Sequence, residues 1–133
     1  MRVLLHIGLV GLGSGLGGLT RWVVHLGLSR WLGKSWPIGT LLINVTGCLF
    51  LGWFATVLTR RMMASEDHAG LEELRLLLAV GFAGGYTTFS TFGVETDSLL
   101  REGNSLGATL YVVLSVVLGL LAVRFGAWLA GGV

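Results

Sequence analysis

Charged side chains are scarce in this sequence of 133 residues. Asp, Glu, Lys and Arg together make up 12% of the chain, whereas 53% of the residues are hydrophobic. A typical soluble domain carries about 25% charged residues. The chain therefore has too few charges to cover the surface of a small globule in water, and its mean hydropathy is +0.81. We predict a protein whose solvent is largely lipid and which has no soluble domain.

Residue types that common chemistries require are also missing or badly spaced. The single cysteine, Cys48, excludes a disulfide within one chain and suits a small apolar packing role. His6, His25 and His68 lie in different segments without ligand spacing, so they predict no metal site. No nucleophile–base pair falls within the apolar segments, which argues against an enzyme. A net charge of +2 is too small to indicate a nucleic-acid partner.

Four stretches are long and apolar enough to cross a bilayer, which takes roughly 20 helical residues. Their cores carry no Asp, Glu, Lys or Arg, and they run over residues 3–20, 38–58, 76–94 and 106–123. We predict an all-α membrane protein with four transmembrane helices. Residues 1–133 form one transmembrane domain in this interpretation, with spans at about 3–26, 38–58, 75–100 and 105–129.

Basic residues near the span ends give almost no orientation signal. One side would carry five of them and the other side four: Arg2, Arg60, Arg61, Arg75 and Arg124 against Arg21, Arg30, Lys34 and Arg101. Such counts normally set orientation. Two interpretations stay open, an orientation too subtle for counting and a chain that inserts both ways, which permits an antiparallel dimer. Four helices are few for enclosing a pathway, so we expect oligomerisation.

Glycine is abundant, with 22 residues. Three pairs have the small-x-x-x-small spacing that lets membrane helices approach closely: Gly11/Gly15, Gly13/Gly17 and Gly81/Gly85. The run GSGLGG at 13–18 also matches a dinucleotide-binding pattern, but that pattern needs an acidic residue about 20 positions later. The first acidic residue of the chain is Glu66. Helix packing is therefore the favoured explanation of these glycines.

Uncharged polar residues form faces on two spans. Thr40, Asn44 and Cys48 are four apart, as are Tyr111, Ser115 and Gly119, and residues four apart share a helix face. These faces suit either hydrogen bonding between helices or a polar pathway. No span has an Asp, Glu or Lys in its middle, which argues against proton-coupled transport.

The third span contains GGYTTFSTF at residues 84–92. We expect Gly84 and Gly85 to open the helix and free carbonyl oxygens that can bind a cation. Phe89 and Phe92 share one face beside several hydroxyls. Because the edge of a phenyl ring is electropositive, ring edges and hydroxyls together suit an anion.

Three motifs carry a family resemblance: GGLTRW (17–22), GTLLINVTGCLFLG (39–52) and GFAGGYTTFSTF (81–92). They resemble the signatures of the CrcB/Fluc family of small fluoride channels, over all four spans in order and length. The resemblance implies a fluoride-selective channel in the bacterial plasma (inner) membrane that passively exports fluoride and reduces its toxicity. It also implies an antiparallel, dual-topology homodimer with two pathways and a third helix broken at mid-membrane. Gly119 falls where some relatives carry a hydroxyl.

The same resemblance implies roles for individual residues. Asn44 offers its amide to fluoride, and the ring edges of Phe89 and Phe92 line the pathway. The rest of the polar track is Thr40, Ser90, Thr91, Tyr111 and Ser115. The main-chain carbonyls of Gly84 and Thr87, from both subunits, bind a central structural sodium ion, and no organic cofactor is implied. Arg21 either attracts anions to a vestibule or simply extends to the membrane interface.

Two other classes of protein remain as alternatives. A small four-helix antiporter can also be antiparallel, but it requires a carboxylate embedded in the membrane. A membrane assembly subunit would explain the glycines but not the cluster of phenylalanines and hydroxyls around residues 87–92.

Overall fold

The chain folds into long helices in the computed structural model, which describes residues 2–32 and 36–132. They are α1 (Arg2–Leu32), α2 (Ile38–Ala64), α3 (His68–Arg75), a π-helical segment (Leu76–Ala83), α4 (Gly84–Tyr86), α5 (Phe89–Arg101) and α6 (Ser105–Leu129). The elements from α3 to α5 together make the third of four units long and apolar enough to cross a membrane. Over residues 2–32 and 36–132, the predicted all-α architecture with four such helices is confirmed.

The span limits inferred from the sequence stay predictions, because a helix can continue beyond the hydrocarbon region of a bilayer. The helix α1, for example, extends to Leu32, well past the predicted end at residue 26. One of the counted basic residues, Lys34, lies outside the described residues.

Glycines fix the contact between α1 and the third unit. A methyl group on Gly13 would lie 2.9 Å from the Cα atom of Gly81, and one on Gly17 would overlap the carbonyl oxygen of Phe82. The third unit contributes a glycine to the same contact, because a methyl group on Gly85 would overlap the carbonyl oxygen of Ser14 in α1. The close approach predicted from two of the glycine pairs is therefore confirmed. The third pair, Gly11 and Gly15, has no neighbour within 4 Å and faces outward.

A second glycine contact joins α2 to α6. A methyl group on Gly52 would overlap the carbonyl oxygen of Val123, and one on Gly126 would overlap that of Leu49. Since each helix offers a glycine to the backbone of the other, the two backbones nearly touch. This crossing fixes the distance between the two polar faces, which lie further along the same helices.

A cluster of buried residues lies where α2, α5 and α6 meet. Its members are Leu41, Leu99, Ala108 and Tyr111, with Trp36, Val45 and Phe92 packed against them. The turn between α5 and α6 is closed by Gly103, whose φ of 76° suits glycine, and by Asn104. The side chain of Asn104 caps α6 by accepting a hydrogen bond from Gly107 N at 2.9 Å.

Two consecutive residues leave the helical conformation within the third unit. Thr87 has φ −81° and ψ 160°, and Thr88 has φ −150° and ψ 120°, both extended. We call this pair the interruption. The expectation that Gly84 and Gly85 open the helix is wrong, because both belong to α4. Gly85 is needed instead for its close contact with Ser14.

The glycine contact of α1 is open to a direct test. Gly17→Ala should lower the free energy of unfolding by about 1–3 kcal/mol, because the added methyl group must displace backbone atoms. Gly18→Ala is the matched control, since a methyl group there meets nothing within 4 Å. Thermal unfolding of the two purified variants checks this. Equal stability of both variants would contradict the contact.

Candidate functional site

The interruption is held by the side chain of Asn44 in α2. Asn44 Oδ1 accepts a hydrogen bond from Thr88 N at 2.8 Å, and Asn44 Nδ2 donates to Thr88 O at 3.0 Å. One amide thus pairs with both backbone groups of an extended residue, as a neighbouring strand would. The N–H of Thr88 would bond Gly84 O in a continuous helix. Its use by Asn44 leaves that carbonyl free for another partner.

A small residue in α2 makes room for the interruption. A methyl group on Gly47 would overlap the Cγ2 atom of Thr87. Gly47 follows Asn44 by three positions and therefore lies on the same side of α2. The motif INVTG at 43–47 thus combines the amide that binds the extended backbone with the space that this backbone needs.

Thr88 organises the hydroxyls at the start of α5. Its buried hydroxyl accepts a hydrogen bond from Thr91 N at 3.2 Å, which caps the helix, and donates to Thr91 Oγ1 at 3.0 Å. Ser90 Oγ lies 3.3 Å from the same atom. Two predicted pathway residues, Ser90 and Thr91, are therefore linked through Thr88, which sequence reasoning did not select. The pattern of an N-cap threonine before a helix would have indicated it.

Glu95 is a second residue that sequence reasoning missed. Its carboxylate accepts hydrogen bonds from Thr40 Oγ1 at 2.8 Å and from the Tyr111 hydroxyl at 2.7 Å. Thr40 of α2 and Tyr111 of α6 are 1% and 0% exposed. Two of the predicted pathway residues therefore bind the carboxylate at the end of the Glu95 side chain. We call these three residues the Glu95 cluster. Glu95 directly follows the uncharged core of the third span, and its spacing from Thr91 and Phe92 places all three on one face.

Aromatic rings connect the exposed side of α5 with the Glu95 cluster. The ring centroids of Phe89 and Phe92 are 5.6 Å apart, and those of Phe92 and Tyr111 are 5.1 Å apart. Phe89 is 84% exposed, whereas Phe92 is half-buried and Tyr111 is buried. The row therefore leads from the surface of this single chain into its polar interior.

A cavity of about 290 Å³ lies beside these rings. It is lined by Asn44, Cys48, Leu51, Thr87, Thr88, Phe89, Phe92, Ser115 and Val116. The hydroxyl oxygen of Ser115 is buried and has no hydrogen-bond partner in the part of the chain that the structure describes. Asn44 also has a second N–H beyond the one that binds Thr88. The cavity thus offers neutral donors and two phenyl rings, one of which, Phe89, is largely exposed.

The polar face of α6 ends at Gly119. A methyl group added to this buried glycine would lie 3.6 Å from the Cys48 sulfur, an ordinary van der Waals contact. Because a thiol is a weak donor, the hydrogen-bonding track weakens at this level. The predicted packing role of Cys48 agrees with its half-buried position, although it also lines the cavity.

Arg21 contacts the interruption from α1. Its guanidinium donates a hydrogen bond from Nη1 to the carbonyl oxygen of Thr87 at 3.2 Å. Gly84, the other residue expected to offer a carbonyl, is exposed, with open space around its Cα atom. Arg21 and Asn44 therefore both bind the backbone of the interruption, Arg21 at Thr87 and Asn44 at Thr88. Gly84 is exposed on the surface of the chain.

Comparisons with known proteins agree on one family. Residues 8–127 match the family model described as CrcB-like protein, Camphor Resistance (CrcB). Three relatives carry the name Fluoride-specific ion channel FluC. The protein of Chloroflexus aurantiacus is 43% identical over 120 residues, which cover 90% of each chain. That of Rhizobium meliloti is 40% identical over 121 residues, 91% of this chain and 92% of the relative.

The third relative, from Methylococcus capsulatus, is 45% identical over 121 residues, 91% of this chain. The match covers 50% of that protein, so this chain spans about half the length of the Methylococcus relative. The Chloroflexus and Rhizobium relatives are matched over nearly their whole length.

The Asn44 contact predicts a specific loss of stability. Asn44→Ala removes both partners of the Thr88 backbone, and each buried polar group left unpaired costs about 1–3 kcal/mol. We expect a loss of at least about 2 kcal/mol. Cys48→Ala is the control one turn away on the same face, and it should cost less than about 1 kcal/mol. Equal shifts of the thermal unfolding midpoints would show that Asn44 does not hold the interruption.

Proposed function

We propose that this chain, which belongs to the CrcB-like family of membrane proteins, is a fluoride-selective channel that lets fluoride leave the bacterial cell passively. Its relatives are named as fluoride-specific ion channels. The observation that carries the proposal is the cavity beside Asn44, where two phenyl rings, an amide group and the Ser115 hydroxyl, which has no partner among the described residues, meet. These groups are neutral, and they favour a small anion over a cation.

Neutral donors suit fluoride because its main obstacle is the loss of water. Moving a bare ion into a low-dielectric medium costs on the order of 20 kcal/mol in the idealised limit. The pathway must replace the lost water, yet it must release the ion again. Several moderate sites achieve both, whereas a single tight site would trap the ion. The cavity provides such moderate sites through the side chains of Asn44, Phe89, Phe92 and Ser115.

The channel is proposed to need no energy source. A negative cell interior favours the exit of a monovalent anion by about 2.3 kcal/mol per 100 mV. The polar track then only has to lower the barrier. Under this proposal the protein contributes to fluoride resistance without catalysing a reaction and without an organic cofactor.

The working unit is proposed to be an antiparallel, dual-topology homodimer. The support is that a single chain leaves the pathway unfinished: Phe89, Ser90 and Thr91 lie on its exposed side. A second copy on this side would cover the cavity and exclude lipid. With a third helix interrupted at mid-membrane depth, the two-fold axis would bring both interruptions together and give two pathways. The five-to-four count of basic residues is compatible with insertion in both orientations.

A structural sodium ion is proposed at the interruption. Backbone oxygens are hard ligands that suit such a cation, and the carbonyl of Gly84 has lost its helical partner to Asn44. Within residues 2–32 and 36–132, no group of three or more His, Cys, Asp or Glu side chains offers a competing metal site. Gly84 and Thr87 would hold the ion, two carbonyls from each subunit. When bound, it would neutralise their oxygens and support the dimer.

A proton-coupled antiporter is the second candidate, and the Glu95 cluster is the observation that favours it. No predicted span has a carboxylate in its middle, but Glu95 contacts two residues of the polar track. An exchanger would use such a group to carry a proton. The passive channel remains the better proposal, because the cavity itself is lined by neutral groups.

Anion efflux from sealed liposomes tests the proposed channel. We expect purified protein to release fluoride rapidly and chloride at least about 100-fold more slowly, because the larger ion fits the neutral donors poorly and leaves them partly unpaired. Protein-free liposomes give the background leak at pH 7 or above. Chloride release as fast as fluoride release would overturn the proposal.

The same liposomes separate a channel from an antiporter. A channel should not concentrate fluoride when a pH gradient is imposed, and Glu95→Gln should behave likewise. Asp97→Asn is the matched control, since Asp97 is exposed and bonds Arg101 instead. Uphill fluoride movement that the wild type shows and Glu95→Gln lacks would establish proton coupling.

Dual insertion predicts labelling from both sides of the membrane. Glu102 lies in the exposed turn between α5 and α6, so a Cys48→Ala, Glu102→Cys variant places one thiol at that end of the molecule. A membrane-impermeant maleimide should label about half of the molecules in intact spheroplasts, since two orientations are equally present. Permeabilisation should label the rest. Labelling of all or none before permeabilisation would contradict an antiparallel dimer.

A further inference from the structure

We infer that Arg21 controls how tightly the interruption binds a monovalent cation, because its guanidinium competes with that cation for the carbonyl oxygen of Thr87. Arg21 is a positioning residue in this account and touches no permeating ion. The inference rests on the sodium site proposed above and adds an element of this chain that works against it.

The position of Arg21 follows from the packing of α1. Gly17 precedes Arg21 by four positions, so both lie on one face of the helix. A methyl group on Gly17 would be 2.8 Å from Tyr86 N, which shows how closely this face approaches α4. Thr87 directly follows α4 and is extended, with ψ at 160°, so its carbonyl does not continue the helical direction of α4. The guanidinium donates to that oxygen at 3.2 Å.

Among the described residues, no acidic side chain forms an ion pair with Arg21. Arginine stays protonated in proteins and can only donate hydrogen bonds. Over the described ranges, 2–32 and 36–132, the ion pairs join Arg75 to Glu72 and Arg101 to Asp97, and neither involves Arg21. A full positive charge therefore lies against one of the oxygens expected to bind sodium.

Two positive groups on one carbonyl oxygen repel each other. Sodium must either share the Thr87 oxygen with the guanidinium or displace it, and both weaken the binding of sodium. At the same time, Arg21 supplies the oxygen with a partner when sodium is absent. The interruption is thus stabilised without sodium in the wild type and should depend on sodium more strongly once the guanidinium is gone.

Sodium-dependent thermal unfolding of the full-length protein in detergent tests this inference. The unfolding midpoint is measured against sodium concentration, with N-methylglucamine keeping the ionic strength constant. Arg21→Gln should lower the half-saturating sodium concentration about fivefold or more, the effect of removing one contacting unit charge even at water-like screening. Arg21→Lys, which keeps the charge, should stay within about twofold of the wild type. Arg30→Gln, on the exposed part of α1, should leave the value unchanged.

The outcomes are distinct. Unchanged or weaker sodium binding in Arg21→Gln would overturn the inference, although sodium dependence of the wild type would still support the proposed site. Equal tightening by Arg21→Lys would also overturn it, because charge would then not be the cause. Failure of Arg21→Gln to fold at any sodium concentration would overturn it as well, because sodium could then not replace the guanidinium. Absence of sodium dependence in every variant would reject both the site and the inference, while fluoride efflux tests the channel separately.

Discussion

The two hydrogen bonds between Asn44 and the backbone of Thr88 are the interaction on which the polar interior of this protein depends. In hydrocarbon, each unpaired backbone group costs several kcal/mol, so a helix within the membrane opens only where other groups satisfy its backbone. Asn44 satisfies the donor and the acceptor of one extended residue. Arg21 provides a partner for the preceding carbonyl. Side chains from two different helices thus maintain the interruption.

Glycine contacts place those side chains. The packing of Gly13 and Gly17 against the third unit brings Arg21 to Thr87, and the crossing of Gly52 with α6 sets the spacing of the two polar faces. The opening of the helix then turns α5 so that Phe92 and Glu95 meet residues of α2 and α6. The proposed channel function rests on this order of causes: close packing, an opened backbone, and a cavity of neutral donors beside it.

Much of the fold could be predicted from the sequence because its causes are local. Apolar length gave the four helices, and the spacing of Gly13, Gly17, Gly81 and Gly85 gave one of the main contacts. The position of the interruption could not be predicted in this way, because its cause is a contact between residues far apart in the sequence. Gly84 and Gly85 are the natural candidates for breaking a helix, yet the packing of Gly85 on Ser14 keeps them helical, and the partner that opens the chain at Thr88 lies 44 positions earlier.

The contacts of Glu95 and Arg21 in the candidate site could not be predicted from the sequence either, because they depend on how the helices pack. Glu95 ends an apolar stretch, and its approach to Thr40 and Tyr111 depends on the angle between α5 and its neighbours. A charged residue at the end of a span gives no sign in the sequence of whether it turns inward or toward water. The contact of Arg21 with Thr87 similarly depends on the direction in which an extended residue points its carbonyl.

The central claim is that neutral groups beside an opened helix conduct fluoride passively and selectively. Current through the purified protein in a planar bilayer tests it most directly, with a tenfold fluoride gradient, equal chloride on both sides and equal pH. We expect a reversal potential of about 59 mV, the Nernst value for a monovalent ion at a tenfold gradient, with the sign of an anion current. That value should not move when a pH gradient is added. A reversal potential near zero, or one that follows the proton gradient, would contradict the account.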